Sequence, residues 1–588
     1  MIDDLHARVT RWISEDPDPR TQAELRALLE KDVGATDLAD RFAGTLEFGT
    51  AGLRGILGAG PNRMNRAVVM RTTLGLARYL AKHAENLGTH GVVIGYDGRH
   101  MSREFAEDTA SVLAAEGIRA HLFTDFAPTP LTAFAVTHLG VAAGVMVTAS
   151  HNPPEYNGYK AYWSNGAQIV PPVDEGIADE IAKAPPACDV PRLGLEEARA
   201  RGLVVDVAPE VERAYLDAVR ALEVSPRGDR DLRIVYTPLH GVGAKLTQRA
   251  FAEAGFTKLT TVPEQERPDG AFPTVAFPNP EEKGAMDLSF SLARKMQAEL
   301  VLANDPDADR LAVAVPLASA PSGYMQLTGN QVGVLLGHYL LTESPKAKRG
   351  RCAALASIVS SPMLGFIARA LGVHYEETLT GFKWIANRAM ELERDEKLTF
   401  LFGYEEALGY TVGDLVRDKD GISAAVVVAE MVADLRGRGT SVLQQLESLY
   451  RAYGLFVSSQ VNLTKKGESG TTEIRALMTA LRRTLPTRIG AHDVVAVRDY
   501  EARTRFEVAT RKTSALTLPK SNVLTFELLG GSRVIARPSG TEPKVKFYFD
   551  VREQMAPDES LSEAEARAGA TMKALAGAFV AIAEARGG

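Results

Sequence analysis

Val141-Ala-Ala-Gly-Val-Met-Val-Thr-Ala-Ser-His-Asn-Pro-Pro-Glu-Tyr-Asn-Gly-Tyr-Lys160 decides how the rest of the chain is read. The apolar run Val141–Val147 predicts a buried strand, with Val145 and Val147 favouring extended backbone. Asn152, Pro153, Pro154, Asn157 and Gly158 forbid its continuation. Ser150 is therefore held on a tight turn at the carboxyl end of a core strand, where open α/β sheets place their chemistry. Lys160 returns a cation ten residues later. Taken alone, Ser150 fits an ordinary solvated corner equally well, so its company elsewhere matters.

At 588 residues the chain exceeds one hydrophobic core, and roughly 150 residues per domain gives about four domains. The net charge of −7, with dispersed basic residues, leaves no footprint for nucleic acid or a membrane surface. Any anionic ligand must then be held by local cations. Cys188 and Cys352 have no metal or redox spacing and point to a reducing compartment. The start lacks a basic-then-apolar signal region, and no segment reads as long and apolar enough to span a bilayer. The expectation is a cytoplasmic protein.

Residues 1–43 read as helical. The glycine-rich Glu47-Phe-Gly-Thr-Ala-Gly-Leu-Arg54-Gly55 follows, presenting one arginine in a loop that a ligand can approach closely. A helix over 66–87, a strand over 91–96, a helix over 103–116 capped by Ser102, and a strand over 120–123 then set an α/β rhythm. Pro128-Thr-Pro130 reads as a turn. Strand-to-turn corners recur at 94–99, 235–243 and 356–363, a weak sign of three related units. Gly241-Val-Gly243 is not a dinucleotide fingerprint, because Leu246 stands where the third glycine belongs. The last part reads as α+β, with strands at 457–463, 522–527, 532–536 and 545–549. A final helix is expected to be capped by Ser562 and Glu565.

Asp305-Pro-Asp307-Ala-Asp309-Arg310 follows the apolar run Leu300–Ala303. Three carboxylates this close repel one another unless a cation sits among them, and oxygen-only ligation suits Mg²⁺. An EF-hand fails, since Arg310 and Pro316 occupy its glycine and glutamate positions. Glu405 and Glu406, after the run 398–402, could accept bonds from sugar hydroxyls. Arg537-Pro-Ser539-Gly540-Thr541 offers an arginine fork, two hydroxyls and freed backbone N–H groups, as a phosphate monoester needs.

In order and spread, these motifs resemble the α-D-phosphohexomutase superfamily, which includes phosphoglucomutases, phosphomannomutases and phosphopentomutase. The resemblance implies a phosphorylated Ser150, with Asp305, Asp307, Asp309 and a phosphoserine oxygen holding Mg²⁺. Arg54, Lys160, Lys419 and His151 would serve the transferring group. Glu405 and Glu406 would read the sugar, and Arg537, Ser539, Gly540 and Thr541 would bind the phosphate that is not reacting. It implies three similar α/β/α domains with mixed sheets and a smaller α+β C-terminal domain around a central cleft, here 1–224, 225–325, 326–456 and 457–588. The expected activity is a phosphoglucomutase working through a sugar bisphosphate such as glucose 1,6-bisphosphate, on a phosphorylated monosaccharide, in a monomer or weak dimer. Ala407 stands where many glucose-type members carry serine, so phosphopentomutase, phosphomannomutase and sugar-bisphosphate synthase stay open. A phosphatase and a non-catalytic sugar-phosphate binder are the readings from other classes.

Overall fold

The apolar run ending at Val147 is a strand buried along its whole length, in the middle of the first of four sheets. The computed structural model describes all residues except 1, 31–34, 48–51, 86, 226–227, 349, 466–469, 540–543 and 588. Helices Ile2–Glu15, Pro19–Glu30 and Ala35–Arg41 come first.

The first sheet contains β1 (Leu53–Ile56), β2 (Val92–Tyr96), β3 (Ala120–Leu122), β4 (Ala143–Val147), β5 (Tyr156–Trp163) and β6 (Val204–Asp206), in the order β1-β5-β4-β2-β3-β6. The second contains β7 (Ile234–Thr237), β8 (Leu259–Thr261), β9 (Leu300–Ala303), β10 (Ala312–Pro316) and β11 (Tyr324–Gln326), in the order β11-β10-β9-β7-β8. The third has β12 (Cys352–Ser357), β13 (His374–Thr378), β14 (Thr399–Glu405) and β15 (Gly409–Val412), in the order β13-β12-β14-β15.

One plan runs through all three. A leading strand (β2, β7, β12) pairs in parallel with the second and third strands of its unit, and the third turns back into an antiparallel fourth. The corners at 94–99, 235–243 and 356–363 are the ends of the three leading strands. Ser150, the three aspartates and the Glu405–Glu406 pair all occupy the corner between the third strand and the fourth. The connections between parallel strands run through helices, so the central strands are covered on both faces and read as continuous apolar runs.

Close packing of one helix fixes part of the site. Helix Thr129–His138 lies so near the first sheet that a Cβ on Gly95 would stand 2.1 Å from Thr132, and one on Gly144 2.5 Å from Val136. This places Thr129, at the start of the helix, against the metal-type loop of the second unit.

The fourth unit is an antiparallel sheet of β16 (Leu455–Thr464), β17 (Arg488–Ile489), β18 (His492–Asp499), β19 (Thr504–Glu507), β20 (Thr513–Ala515), β21 (Leu524–Leu528), β22 (Arg533–Pro538) and β23 (Lys544–Glu553). Helices Gly470–Arg483 and Leu561–Gly587 pack against it.

Several local expectations are corrected. The helix expected over 66–87 ends at His83. Ser102 does not cap its helix: Met101 holds that position at φ +67°, and the Ser102 hydroxyl donates to Asp97 at 2.7 Å. Pro128-Thr-Pro130 is the first turn of a helix, as proline at N1 or N2 permits. The final capping box is Ser560 with Glu563, two residues earlier than expected. The last helix, Leu561–Arg586, is by length and composition apolar enough to cross a membrane, contrary to the sequence reading. Its Leu575, Phe579 and Ala583 are buried in the core of the fourth unit, so one face of this alanine-rich helix packs on the sheet.

Candidate active site

Ser150 sits at φ +52°, a left-handed conformation that turns its side chain out of the strand line. Its backbone N–H donates to the Thr148 hydroxyl at 2.8 Å. The Arg99 guanidinium grips the loop from beneath, donating to the carbonyls of Ser150 (2.6 Å), Asn152, Pro153 (2.8 Å) and Tyr156 (3.2 Å). Arg99 pairs with Asp97 and stacks 4.9 Å from the Phe272 ring of the second unit. The Ser150 loop is thus anchored to both units.

From this corner the Ser150 hydroxyl donates to Asp305 Oδ2 at 2.8 Å, and His151 Nδ1 lies 3.2 Å from Ser150 Oγ. The serine and the acidic turn, 155 residues apart, form one site. Asp305, Asp307 and Asp309 are fully buried, and one carboxylate oxygen from each lies within 4.8 Å of the others. Asp305 Oδ1 accepts the Arg310 N–H at 2.9 Å. Asp307 Oδ2 accepts from Thr129 Oγ1 (2.6 Å) and Lys160 Nζ (2.8 Å). Asp309 Oδ2 faces Lys160 (2.9 Å) and Lys419 (3.1 Å).

Asp307 Oδ1 and Asp309 Oδ1 remain, buried and without a hydrogen-bond partner. Leaving buried carboxylate oxygens unmatched is costly. A small hard cation satisfies both, and the all-oxygen donor set fits Mg²⁺. The lysines bind the Oδ2 atoms of Asp307 and Asp309 and leave both Oδ1 atoms to a metal.

The charges respond to this crowding. Burial, then Asp307 and Asp309, pushes the Asp305 carboxyl well above the usual range. Burial opposes ionisation of Asp307 too, but Lys160 and Thr129 outweigh it and hold its carboxyl below that range. Burial would lower Lys160, yet Asp307 and Asp309 raise it; Lys419 is raised likewise by Asp309 and Asp418. Burial, with Arg310 and Arg54 nearby, drives His151 well below its ordinary value, so its ring is neutral.

Arg54, on β1, donates to Asn152 Oδ1 at 2.8 Å; residues 48–51 of its loop lie outside the described residues. Burial, then repulsion from Arg310, pushes its guanidinium down to about 10, which still leaves it charged at neutral pH.

Glu405 ends β14, and its Oε1 accepts the Gly381 N–H at 2.7 Å. Burial and the neighbouring Glu406 push it up to about 7. Glu406 turns the other way, accepting the Ser357 and Ser360 hydroxyls at 3.2 Å each. Beside it a cavity of about 450 Å³ opens between the third and fourth units. Arg537, on β22, bonds the Tyr548 hydroxyl, whose ionisation feels Glu406 and Glu405; the fourth unit therefore reaches the Glu405–Glu406 corner. The Ser539 N–H donates to the Lys544 carbonyl at 2.8 Å. Gly540 and Thr541 lie outside the described residues.

The sequence reading assigned no role to Arg99, Thr129, Arg310 or Asp418. Arg310 Nη1 donates to the Ala407 carbonyl at 3.1 Å, tying the acidic turn to the Glu405–Glu406 corner. Asp418 Oδ1 accepts from Lys419 Nζ at 3.1 Å. Asp97-Gly-Arg99 was visible as a corner, but the carbonyls its arginine holds lie 51 or more residues away.

The chain matches three family models: phosphoglucomutase/phosphomannomutase alpha/beta/alpha domain I over residues 45–187, domain II over 213–317 and domain III over 328–453. It is 38% identical to human phosphopentomutase over 570 residues, covering 93% of this chain and 91% of that protein. A Haemophilus influenzae relative described as a probable phosphomannomutase is 43% identical over 495 residues, 83% of this chain and 93% of its own. Among solved structures, the open form of the exocytosis-sensitive phosphoprotein parafusin (phosphoglucomutase) from Paramecium has a TM-score of 0.64 at 18% identity. It covers 92% of this chain and 94% of that one, a likeness of fold. With three matched domains and relatives along nearly its whole length, the chain belongs to the phosphoglucomutase/phosphomannomutase family of phosphosugar mutases.

Proposed function

We propose that this enzyme moves a phosphoryl group between two oxygens of one sugar through a phosphoserine at Ser150, with glucose 1-phosphate and glucose 6-phosphate as substrates. The observation that carries the reading is the Ser150 hydroxyl lying 2.8 Å from Asp305 while the Oδ1 atoms of Asp307 and Asp309 await a cation.

In the first half-reaction a sugar hydroxyl attacks the phosphorus of phosphoserine. Its O–P bond forms, the bond to Ser150 Oγ breaks, and a sugar bisphosphate results. The proton released by the sugar hydroxyl passes to Ser150 Oγ; His151, neutral and 3.2 Å from that oxygen, is placed to relay it. The bisphosphate then turns over, and its other phosphate passes to Ser150 by the reverse step. Asp305, Asp307 and Asp309, with an oxygen of the phosphoserine, would hold Mg²⁺, which would supply charge neutralisation at the transferring group. Lys160 and Lys419 each face two carboxylates, so they act as fixed positive charges. Arg54 adds a third. Glu405 and Glu406 read sugar hydroxyls, while Arg537, Ser539, Gly540 and Thr541 hold the idle phosphate. In this reading the parts fall in four domains, 1–224, 225–325, 326–456 and 457–588, of a cytoplasmic protein.

A second reading, a pentose phosphate as substrate, is favoured by the name of the human relative and by Ala407, which offers the sugar no hydroxyl. A panel of glucose, mannose and ribose 1-phosphates, run with intact-mass measurement, tests both. Highest kcat/KM on glucose 1-phosphate, with one phosphoryl group gained by wild type and none by Ser150→Ala, is expected. A ribose preference above about tenfold moves the assignment to the second reading. Full turnover by Ser150→Ala refutes both.

A further inference from the structure

Away from the catalytic loops, a cavity of about 590 Å³ lies in the seam between the third and fourth units. Its third-unit wall is formed by Arg369, at the end of helix Met363–Ala370, and by Tyr375 and Glu377 on the edge strand β13. Its fourth-unit wall is one face of the antiparallel sheet. Arg498 is paired in register with Thr525, and Glu527 with Arg533, so these four side chains stand together.

Most of the charge here is already matched. Glu377 accepts from Arg498 (2.8 Å) and Arg533 (2.7 Å), Arg533 also bonds Asp550 (2.7 Å), and Arg498 pairs with Glu527. Those bonds carry the seam itself, joining β13 to the fourth sheet. Three groups are left over. Thr525 is 2% exposed, and its hydroxyl has no partner. The Tyr375 hydroxyl is buried without one either. Arg369 stacks on Phe366 at 5.5 Å but, among the described residues, meets no carboxylate. With Asp550 behind Arg533, three carboxylates balance three arginines, and Arg369 is the arginine of the lining that no carboxylate meets among the described residues. Unmatched buried hydroxyls are rare, because each forfeits a hydrogen bond it would make in water.

We infer that this seam cavity is a binding site for a phosphate group, carried free or on a small metabolite, with Arg369 supplying charge and the Tyr375 and Thr525 hydroxyls donating to its oxygens. The volume exceeds what bare phosphate fills, which leaves room for a small organic body. Because Arg369 and Tyr375 belong to the third unit and Thr525 to the fourth, a bound anion bridges the two and bears on how the fourth unit, with Arg537, stands over the cleft. This site is separate from the Ser150 pocket and does not depend on which sugar is isomerised.

Equilibrium dialysis of the full chain against inorganic phosphate, without magnesium and at ionic strength matched with chloride, tests the assignment. Wild type is expected to bind one phosphate more per chain than either Thr525→Val or Arg369→Ala, or to bind that ion about tenfold more tightly. Arg537→Ala, altered in the catalytic cleft, is expected to keep it. Identical binding by wild type and both seam variants overturns the inference. So does loss in Arg369→Ala alone, since that leaves the ion on the arginine without the buried hydroxyls. With inorganic phosphate bound, glycerol 3-phosphate that competes at the seam identifies an esterified ligand, and failure to compete identifies the free ion.

Discussion

The Tyr162 hydroxyl, on the first sheet, donates at 2.8 Å to Asp418 Oδ2, 256 residues further along the chain. Gln168 donates to the same oxygen at 2.7 Å, and the other oxygen holds Lys419. Lys419 is thereby carried by a third-unit loop, steadied by the first unit, and aimed at an aspartate of the second. Tyr162→Phe removes one bond to a buried carboxylate and frees Lys419 to drift. Turnover is expected to fall about tenfold with KM little changed. Steady-state kinetics check this, and a wild-type kcat rejects the positioning role.

Arg99 makes four carbonyl bonds that no other side chain replaces. A lysine has charge but lacks the planar fork. Arg99→Ala is therefore expected to lose about 3 kcal/mol of stability or more, because Asp97 is left buried without its cation, while Arg99→Lys keeps the charge and loses less, through the carbonyl bonds alone. Denaturant unfolding measures the loss. Activity should fall further than stability explains, since the Ser150 loop loses its anchor.

Glu405 binds its last proton near pH 7 in the folded chain, against an ordinary value of 4.5. Between these values the folded state holds more protons than the unfolded one, so stability falls as pH rises, by up to about 1.4 kcal/mol per pH unit for this group. The contribution is fully present below pH 4.5 and is lost as pH rises through 7. Glu405→Gln has no such proton to lose. The difference between wild-type and variant unfolding free energies should slope across this window and flatten above it. A difference independent of pH contradicts the assignment.

Magnesium should stabilise the folded chain whether or not substrate is present. At one hundred times its dissociation constant the gain is about 2.7 kcal/mol. Asp309→Asn removes one orphaned oxygen's charge and should abolish most of the rise in thermal midpoint, and chelation should silence wild-type turnover. Equal midpoint shifts in wild type and variant place the ion elsewhere.

The sequence was most legible where chemistry and strand ends coincide. Val141–Val147 and Leu300–Ala303 are continuous apolar runs because both faces are covered, and each is followed by residues that cannot extend a strand. Ser150 and the aspartates stood out for that reason. Arg99, Thr129 and Asp418 did not, since their partners are carbonyls and carboxylates brought near only by folding. Thr129 is 178 residues from Asp307. The misplaced cap at Ser562 has a simpler origin: Ser560–Glu563 and Ser562–Glu565 share one spacing, and only the helix start separates them. The alanine-rich last helix misled in the other direction, because composition says how apolar a helix is and not what it packs against.

The shared address of Ser150, the aspartate triplet and the glutamate pair has an engineering meaning. Three copies of one βα plan each bring a different group to the corresponding corner: a hydroxyl, a carboxylate triplet and a carboxylate pair. Because each group hangs from its own framework, the loop that holds Ala407 can be varied without rebuilding the corners that carry Ser150 and the aspartates. On the proposed reading, substrate range and reaction type are then separable inheritances.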